Sequence, residues 1–471
     1  MDILWTVFVR KNGTPGETAL ATFRRPVDEA TVGDFGLSIA ESRKLLIALQ
    51  HQVAQDQIVA YDLHRRHCQH CGAYRRIKDW RPRSIATGLG PIHVKAPRIE
   101  PCGCGAEPPD MRSDRRRRAA RSPFPDLLPR RRTPEVSYLC AKHGASSSYR
   151  SAARTVADMT GLEGLSHASV RKETILCGQH VEDEQLMIGT RAGRSKCEGA
   201  KHLRVSIDGT VLTAASTEQA TRFEVVAGRV ECDGHMGKRF VCALARRDLT
   251  RTLVAAALDQ SGWIPSTEVD VVTDGARGMR ALVTSVAPRV APKILDWFHM
   301  GMKLQAVKRP LCAVTFPCSA RPELMLQCER AWREMREALW RGRGEEAIEL
   351  LQILRANLTH GMKDLPPFYA SCAATARGAA TALQSFLLNN RRDLIDYQRA
   401  RMAGRRISSA SAESVMNHVV NRRLSKQQQM RWSMHGAHYL LQTRVELLDG
   451  TLERRFEAWF PHFRTPELRR R

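Results

Sequence analysis

The first regular pattern of apolar positions lies in residues 36–65, where Leu37, Ile39, Leu45, Leu46, Leu49 and Val53 recur at helical spacing. The run starts near Ser38, contains no proline and predicts an amphipathic helix. From Cys68 to Cys104 the helical period is lost. A short alternation through Ile92 and Val94 follows the turn-forming Gly88-Leu89-Gly90-Pro91, so a small β-hairpin is predicted. Residues 105–133, rich in proline and arginine, read as a linker. Two or three short helices are predicted over 134–180, parted by Gly161 to Gly164, and the one opening at Ser166 suits the second helix of a helix-turn-helix.

At residue 201 the period becomes alternating. Leu203, Val205 and Ile207 lead into Asp208-Gly209, two β-type runs cover Phe223 to Val230 and Phe240 to Leu244, and a helix is predicted over 248–260. Val269 to Thr273 lead into Asp274-Gly275, a helix is predicted from about Ala276, and Lys293-Ile294-Leu295 form a strand ending at Asp296. Three consecutive strands, then helix and strand in alternation, describe a mixed α/β sheet. Residues 301–400 lose the strand pattern and are rich in Ala, Leu, Glu and Arg, as expected of an inserted helical domain. Within it Trp332 and Trp340 are spaced for one helix face, with Arg333, Arg336, Arg341 and Arg343 among them as candidate phosphate contacts. One more helix is predicted from Ser411.

Composition sharpens this picture. A chain of 471 residues is long enough for about three domains, and 43% hydrophobic with 26% charged residues excludes a disordered or collagen-like chain. No apolar stretch approaches a membrane-spanning length, and the apolar Ile3 to Val9 lacks a preceding basic region. The expectation is a soluble, cytoplasmic protein without a membrane partner. The net charge of +25, concentrated in arginine blocks such as 115–118 and 130–132, points to a polyanionic partner, and bidentate phosphate contacts favour nucleic acid. Thirteen cysteines, an odd number, favour metal-binding or structural thiols over a disulfide framework.

Two cysteine pairs, Cys68-x-x-Cys71 and Cys102-x-Cys104, flank the predicted hairpin. A zinc ribbon brings four thiolates into one tetrahedron in this way, and four protein ligands leave no open position, so a structural Zn²⁺ is expected. His67, His70 and His93 stand close enough in sequence to replace a non-ligating cysteine.

Asp208 and Asp274 each follow a buried-type strand and precede a glycine. Carboxylates at neighbouring strand ends can hold a pair of Mg²⁺ ions for phosphoryl transfer, whereas a single Asp-Gly marks a turn. Glu413 is the candidate third carboxylate, in the first turn of the helix from Ser411, where the helix dipole favours its ionised form and Asn417 follows one turn later. Arg405, Arg406, Arg422, Arg423 and Lys426 supply positive charge nearby and are candidate DNA contacts. Asp296 and His299, in Asp296-Trp297-Phe298-His299, are candidate accessory metal or substrate contacts.

Ser206-Ile-Asp-Gly-Thr210, Val272-Thr-Asp-Gly275, Ile294-Leu-Asp-Trp-Phe-His299, Ser408 to Asn417, Gln429-Met-Arg-Trp-Ser433, Gly436-Ala-His438 and Thr133 to Leu139 occur in an order that resembles the ISKra-type bacterial insertion-sequence transposases. These form a branch of the DDE transposases. The resemblance runs from about Gly36 to Leu452. It implies an α/β, ribonuclease H-like mixed sheet interrupted by an all-helical insertion and preceded by a helical and zinc-ribbon-like N-terminal region. It also implies Asp208, Asp274 and Glu413 as the catalytic triad, Mg²⁺ or Mn²⁺ as cofactor, and cleavage and transfer of DNA strands. The expected partners are double-stranded DNA, as terminal inverted repeats and target, and further copies of the chain in a homodimer or higher oligomer on DNA. A nucleoid-associated location in a bacterial cytoplasm follows. The expected division is a helical region over 1–66, a zinc-ribbon-like domain over 67–105, a linker over 106–133, a helix-turn-helix-like DNA-binding region over 134–200, the catalytic core over 201–300, the insertion over 301–406, and the final core helix with a basic tail over 407–471. The alternative is a catalytically inactive, sequence-specific DNA-binding protein of transposase ancestry.

Overall fold

The computed structural model describes all residues except 29–30, 105–119, 191–198, 216–217, 219–220, 233–236, 245, 274, 276–277, 288, 290–293, 316–321, 362–364, 406, 409–413, 426–430, 462 and 464–471. The chain forms two compact units, Met1–Thr174 with Thr451–Arg471, and Ile175–Gly450.

The first unit opens with an antiparallel hairpin of β1 (Asp2–Val9) and β2 (Thr18–Pro26). The helical region expected over 1–66 is corrected by this hairpin. Its β1 sequence is dominated by Ile, Trp, Thr, Val and Phe, residues that pack well on a pleated surface. The long helix α1 (Ile39–His64) follows, started by a reciprocal cap in which Ser38 Oγ accepts from the Glu41 N–H at 3.2 Å and the Glu41 carboxylate accepts from the Ser38 N–H at 2.9 Å. Arg25, hydrogen-bonded to the same carboxylate, lowers its pKa to about 2.

The predicted hairpin is formed by β3 (Ile77–Thr87) and β4 (Gly90–Ile99). Ile58 of α1 shares a core with Ile85, Ile92, Val94 and Ala96. The Gln55 amide bonds both the N–H and the carbonyl of Lys95, at 2.8 and 3.0 Å. The described end of the expected linker is tied to this hairpin: Arg121 exchanges two backbone bonds with Ile99, and the Thr133 N–H bonds the Ala86 carbonyl at 3.0 Å. Exposed strand edges present unpaired backbone groups, which a passing segment can satisfy. The helices α2 (Pro134–Ser146), α3 (Tyr149–Thr160) and α4 (His167–Thr190) follow. Gly161, at φ 74°, ends α3 in the left-handed conformation.

The second unit contains a five-stranded mixed sheet in the order β7-β6-β5-β8-β9. The strands β5 (His202–Thr213), β6 (Arg222–Glu231) and β7 (Lys238–Cys242) are antiparallel, and β8 (Glu268–Thr273) and β9 (Ile294–Leu295) run parallel to β5. Helices α5 (Arg247–Gln260) and α6 (Met279–Thr284) cover one face, where Leu203, Val205 and Ile207 pack with Val254, Leu258 and Met279. Side chains alternate along a strand, so Arg204, Ser206 and Asp208 lie on the other face.

Helices α7 (Trp297–Thr315), α8 (Pro322–Trp340), α9 (Gly344–Gly361), α10 (Pro367–Asn389) and α11 (Tyr397–Met402) come next, so the helical stretch begins directly after β9. Its core contains Trp332, Met335, Leu339, Leu351, Leu354 and Leu383, and Trp340 packs edge-on against Trp297 at 4.9 Å. Burial is thus the work of both tryptophans. The arginines around them are mostly paired: Arg333 with Glu329, Arg341 with Glu337, and Arg343 with Glu346. A π-helix, Met416–Asn421, leads into Arg422–Leu424. Helix α12 (Met434–Leu448) closes this unit, and α13 (Leu452–Trp459) belongs to the first. A Cβ on Gly178 of α4 would lie 1.9 Å from the Tyr439 carbonyl oxygen of α12, so only glycine permits that approach. No described helix is long and apolar enough to cross a membrane.

Candidate functional site

Cys68, Cys71, Cys102 and Cys104 converge, with their four Sγ atoms within 4.8 Å of one another. Cys68 and Cys71 lie on a tight turn in which the Gly72 N–H bonds the Cys68 carbonyl and the Cys68 N–H bonds the Ala73 carbonyl, both at 2.9 Å, with Gly72 at φ 71°. The second pair follows the end of β4. The Cys68–Cys104 and Cys71–Cys102 sulphur separations are 3.7 and 3.3 Å. A tetrahedron with metal–sulphur bonds of about 2.3 Å needs sulphurs about 3.8 Å apart, so a small expansion of one edge accommodates the ion. Backbone N–H groups of Cys71 and then His70 lower the Cys68 thiol to about 6. Cys71, against the Ala73 backbone N–H that lowers it, is raised by the thiols of Cys102 and Cys104 to about 12. Cysteines bind a divalent metal as thiolates, so its binding at this cluster would displace protons. Zinc there would be held by all four cysteines and would act structurally. His67 instead directs Nδ1 towards the Gly72 carbonyl, 3.4 Å away.

The carboxylate candidates are distributed differently. Asp208 is half-buried in β5, and its Oδ1 accepts from the Gly209 N–H at 2.7 Å. It is not at the end of its strand, as the Asp-Gly turn signal suggests. β5 continues to Thr213 because β6 pairs with it along that length, Asp208 opposite Ala227. What stops near Asp208 is the parallel pairing with β8, whose last partners are Ser206 and Val272. Asp274 and Glu413 lie outside the described residues. The four cysteines are the only potential metal cluster among those described.

Asp296 is fully buried at the end of β9. Its Oδ1 accepts from the Phe298 N–H at 2.8 Å and its Oδ2 meets His299 Nδ1 at 2.7 Å, so it starts α7 and fixes the His299 ring. Asn417 lies in the π-helix, where its Oδ1 accepts from Asn421 Nδ2 at 3.2 Å.

Two of the expected DNA contacts have partners within the protein. Arg405 is engaged by buried Asp270 of β8, at 2.6 Å from Nη2 to Oδ1. Arg423 is itself buried, its guanidinium over the Trp432 ring at 5.3 Å. Arg422 is exposed, while Arg406 and Lys426 lie outside the described residues.

Sequence reading missed Arg444 and Glu182. Arg444 donates through Nε to the His418 and Val419 carbonyls at 3.0 and 2.9 Å, satisfying backbone groups of the π-helix. Its only signal is an arginine between the buried Leu441 and Val445 of α12. Glu182 of α4 hydrogen-bonds buried His438 Nε2, and His438 Nδ1 accepts from the Ala243 N–H at 3.2 Å. Desolvation lowers the His438 pKa, but Cys242 and Glu182 outweigh it and the net direction is upward.

In comparison with known proteins, the chain matches no family model and no curated protein.

Proposed function

We propose that the protein is a DDE transposase, binding the ends of an insertion sequence and cutting and joining DNA strands through Asp208, Asp274 and Glu413. The observation that carries this reading is the register of the two central parallel strands. Ser206 of β5 is partnered by Val272 of β8, and Asp208 and Asp274 are each two positions further along the sequence. In the sequence, both aspartates follow the last parallel partners by the same two residues. β5 also packs against the π-helix that follows Glu413 in the chain. The strand order, three antiparallel strands continued by two parallel ones, supports a ribonuclease H-like core.

In this mechanism Asp208, Asp274 and Glu413 would hold Mg²⁺ or Mn²⁺, which would supply charge stabilisation for in-line displacement at phosphorus. Asp208 contributes a carboxylate restrained by its own Gly209 N–H. The cysteine cluster organises the end of a β3–β4 zinc-ribbon-like domain, and the helices from 134 onward serve DNA recognition. Net charge +25 supports a polyanionic partner.

The test is a gel assay with purified protein, Mg²⁺ and labelled fragments of the DNA flanking the coding sequence. The reading expects specific binding and nicking at defined positions. Specific binding without strand cleavage would select the inactive DNA-binding alternative.

A further inference from the structure

On the sheet face covered by α5 and α6 lies a cavity of about 220 Å³. Its lining includes Glu224, Arg246, Arg247, Arg251 and Met279. Its place in the sheet is fixed by Gly209, where an added Cβ would lie 3.0 Å from Met279 Cε and 3.1 Å from Glu224 Oε1. Gly209 follows Asp208 and projects to the opposite face, so the cavity is across the sheet from the proposed cleavage carboxylate.

Three arginines around one concavity repel one another unless counter-charge is present. Arg251 is partnered by Asp248 at 3.3 Å. Arg246 and Arg247 are exposed and form no ion pair among the described residues. This contrasts with Arg239, Arg333 and Arg341, each held by a carboxylate. With Arg251 held by Asp248, Glu224 offsets one of the two remaining charges and leaves a cationic cavity whose lining includes Val226, Cys242 and Leu244. Planar guanidinium groups lining a concavity suit a phosphate ester, which they can contact through two hydrogen bonds at once. Backbone N–H groups at the start of α5, which Arg246 leaves without a side-chain cap, add to the same field.

We propose that this cavity binds a phosphodiester of a DNA strand at its opening on the α5 and α6 side of the sheet, with Arg246 and Arg247 as its phosphate ligands. The proposal rests on DNA being the partner and does not require cleavage. It adds a second track of backbone contact, separate from Arg422.

The experiment compares full-length wild type with an Arg246→Gln/Arg247→Gln variant. Binding of an unrelated 30-base-pair duplex is measured across a salt series, and thermal stabilisation by a nucleoside monophosphate and by inorganic phosphate is measured beside it. Both side chains are exposed, and equal unfolding temperatures without ligand establish that the variant is folded. The salt slope is expected to fall in magnitude by about 2, since each lost phosphate contact removes about 0.9. Arg247→Lys keeps the charge and should retain the slope while weakening binding severalfold. An unchanged slope in the double variant overturns the proposal. If that unchanged slope is accompanied by loss of stabilisation by the monophosphate, the cavity belongs to a free phosphate ester instead. A wild type with no salt-dependent binding would reject DNA as the partner, a failure distinct from that of the cavity alone.

Discussion

Cys71 and Cys102, 31 residues apart in the chain, hold their sulphurs 3.3 Å apart. The β3–β4 hairpin returns the chain to its starting point and thereby joins the two halves of the cysteine cluster. We predict one zinc per chain by elemental analysis of protein purified without added metal. Cys102→Ser should lose it and unfold the end of the hairpin at lower temperature, while the β5–β9 sheet keeps its melting transition. A metal-free wild type with an unaltered hairpin would remove zinc from the account.

The Arg405–Asp270 pair predicts a stability effect where DNA binding was expected. Arg405→Ala leaves the Asp270 carboxylate buried with His202, 3.1 Å away, as its remaining ion-pair partner. Losing one partner of a buried pair costs about 3–5 kcal/mol, and the partial exposure of Arg405 reduces this to about 2–3 kcal/mol. Denaturant unfolding should show that loss. The salt slope of DNA binding should stay unchanged, and a fall in the slope would return Arg405 to the DNA interface.

Asp62, near the end of α1, is 1% exposed, and among the described residues neither carboxylate oxygen has a hydrogen-bond partner. Desolvation raises its pKa to about 7. In the unfolded chain the group ionises near 3.8, its ordinary value, so the folded state binds the proton more tightly between these values. Stability therefore falls as pH rises from about 4 to 7. Asp62→Asn should flatten that part of the stability curve and stabilise the protein at pH 8 by about 1–3 kcal/mol, with little effect at pH 4. A variant whose unfolding curve keeps the wild-type pH dependence would show that Asp62 is solvated.

The sequence was most legible where the local pattern and the tertiary arrangement agree. Val205 and Ile207 alternate into the sheet core, and the glycines at 88 and 90 mark the β3–β4 turn. The cysteine spacing predicted a cluster because a hairpin brings its two ends together. Other features depend on distant partners and left no local mark. Asp208-Gly209 resembles a turn, but pairing with β6 carries the strand past it. Arg405 and Arg423 look identical to surface arginines until Asp270 and Trp432 are placed beside them. The π-helix depends on Arg444, 26 residues beyond His418.

Mg²⁺-dependent nicking of labelled flanking DNA by wild type, beside Asp208→Ala, Asp274→Ala and Glu413→Ala, tests the proposed role of the three carboxylates in DNA cleavage. We predict that each variant binds the DNA ends with near wild-type affinity and that its cleavage rate falls at least about 1,000-fold, since removing a metal-holding carboxylate takes away several kcal/mol of transition-state stabilisation. Cleavage by Asp208→Ala at the wild-type rate would exclude Asp208 from the triad.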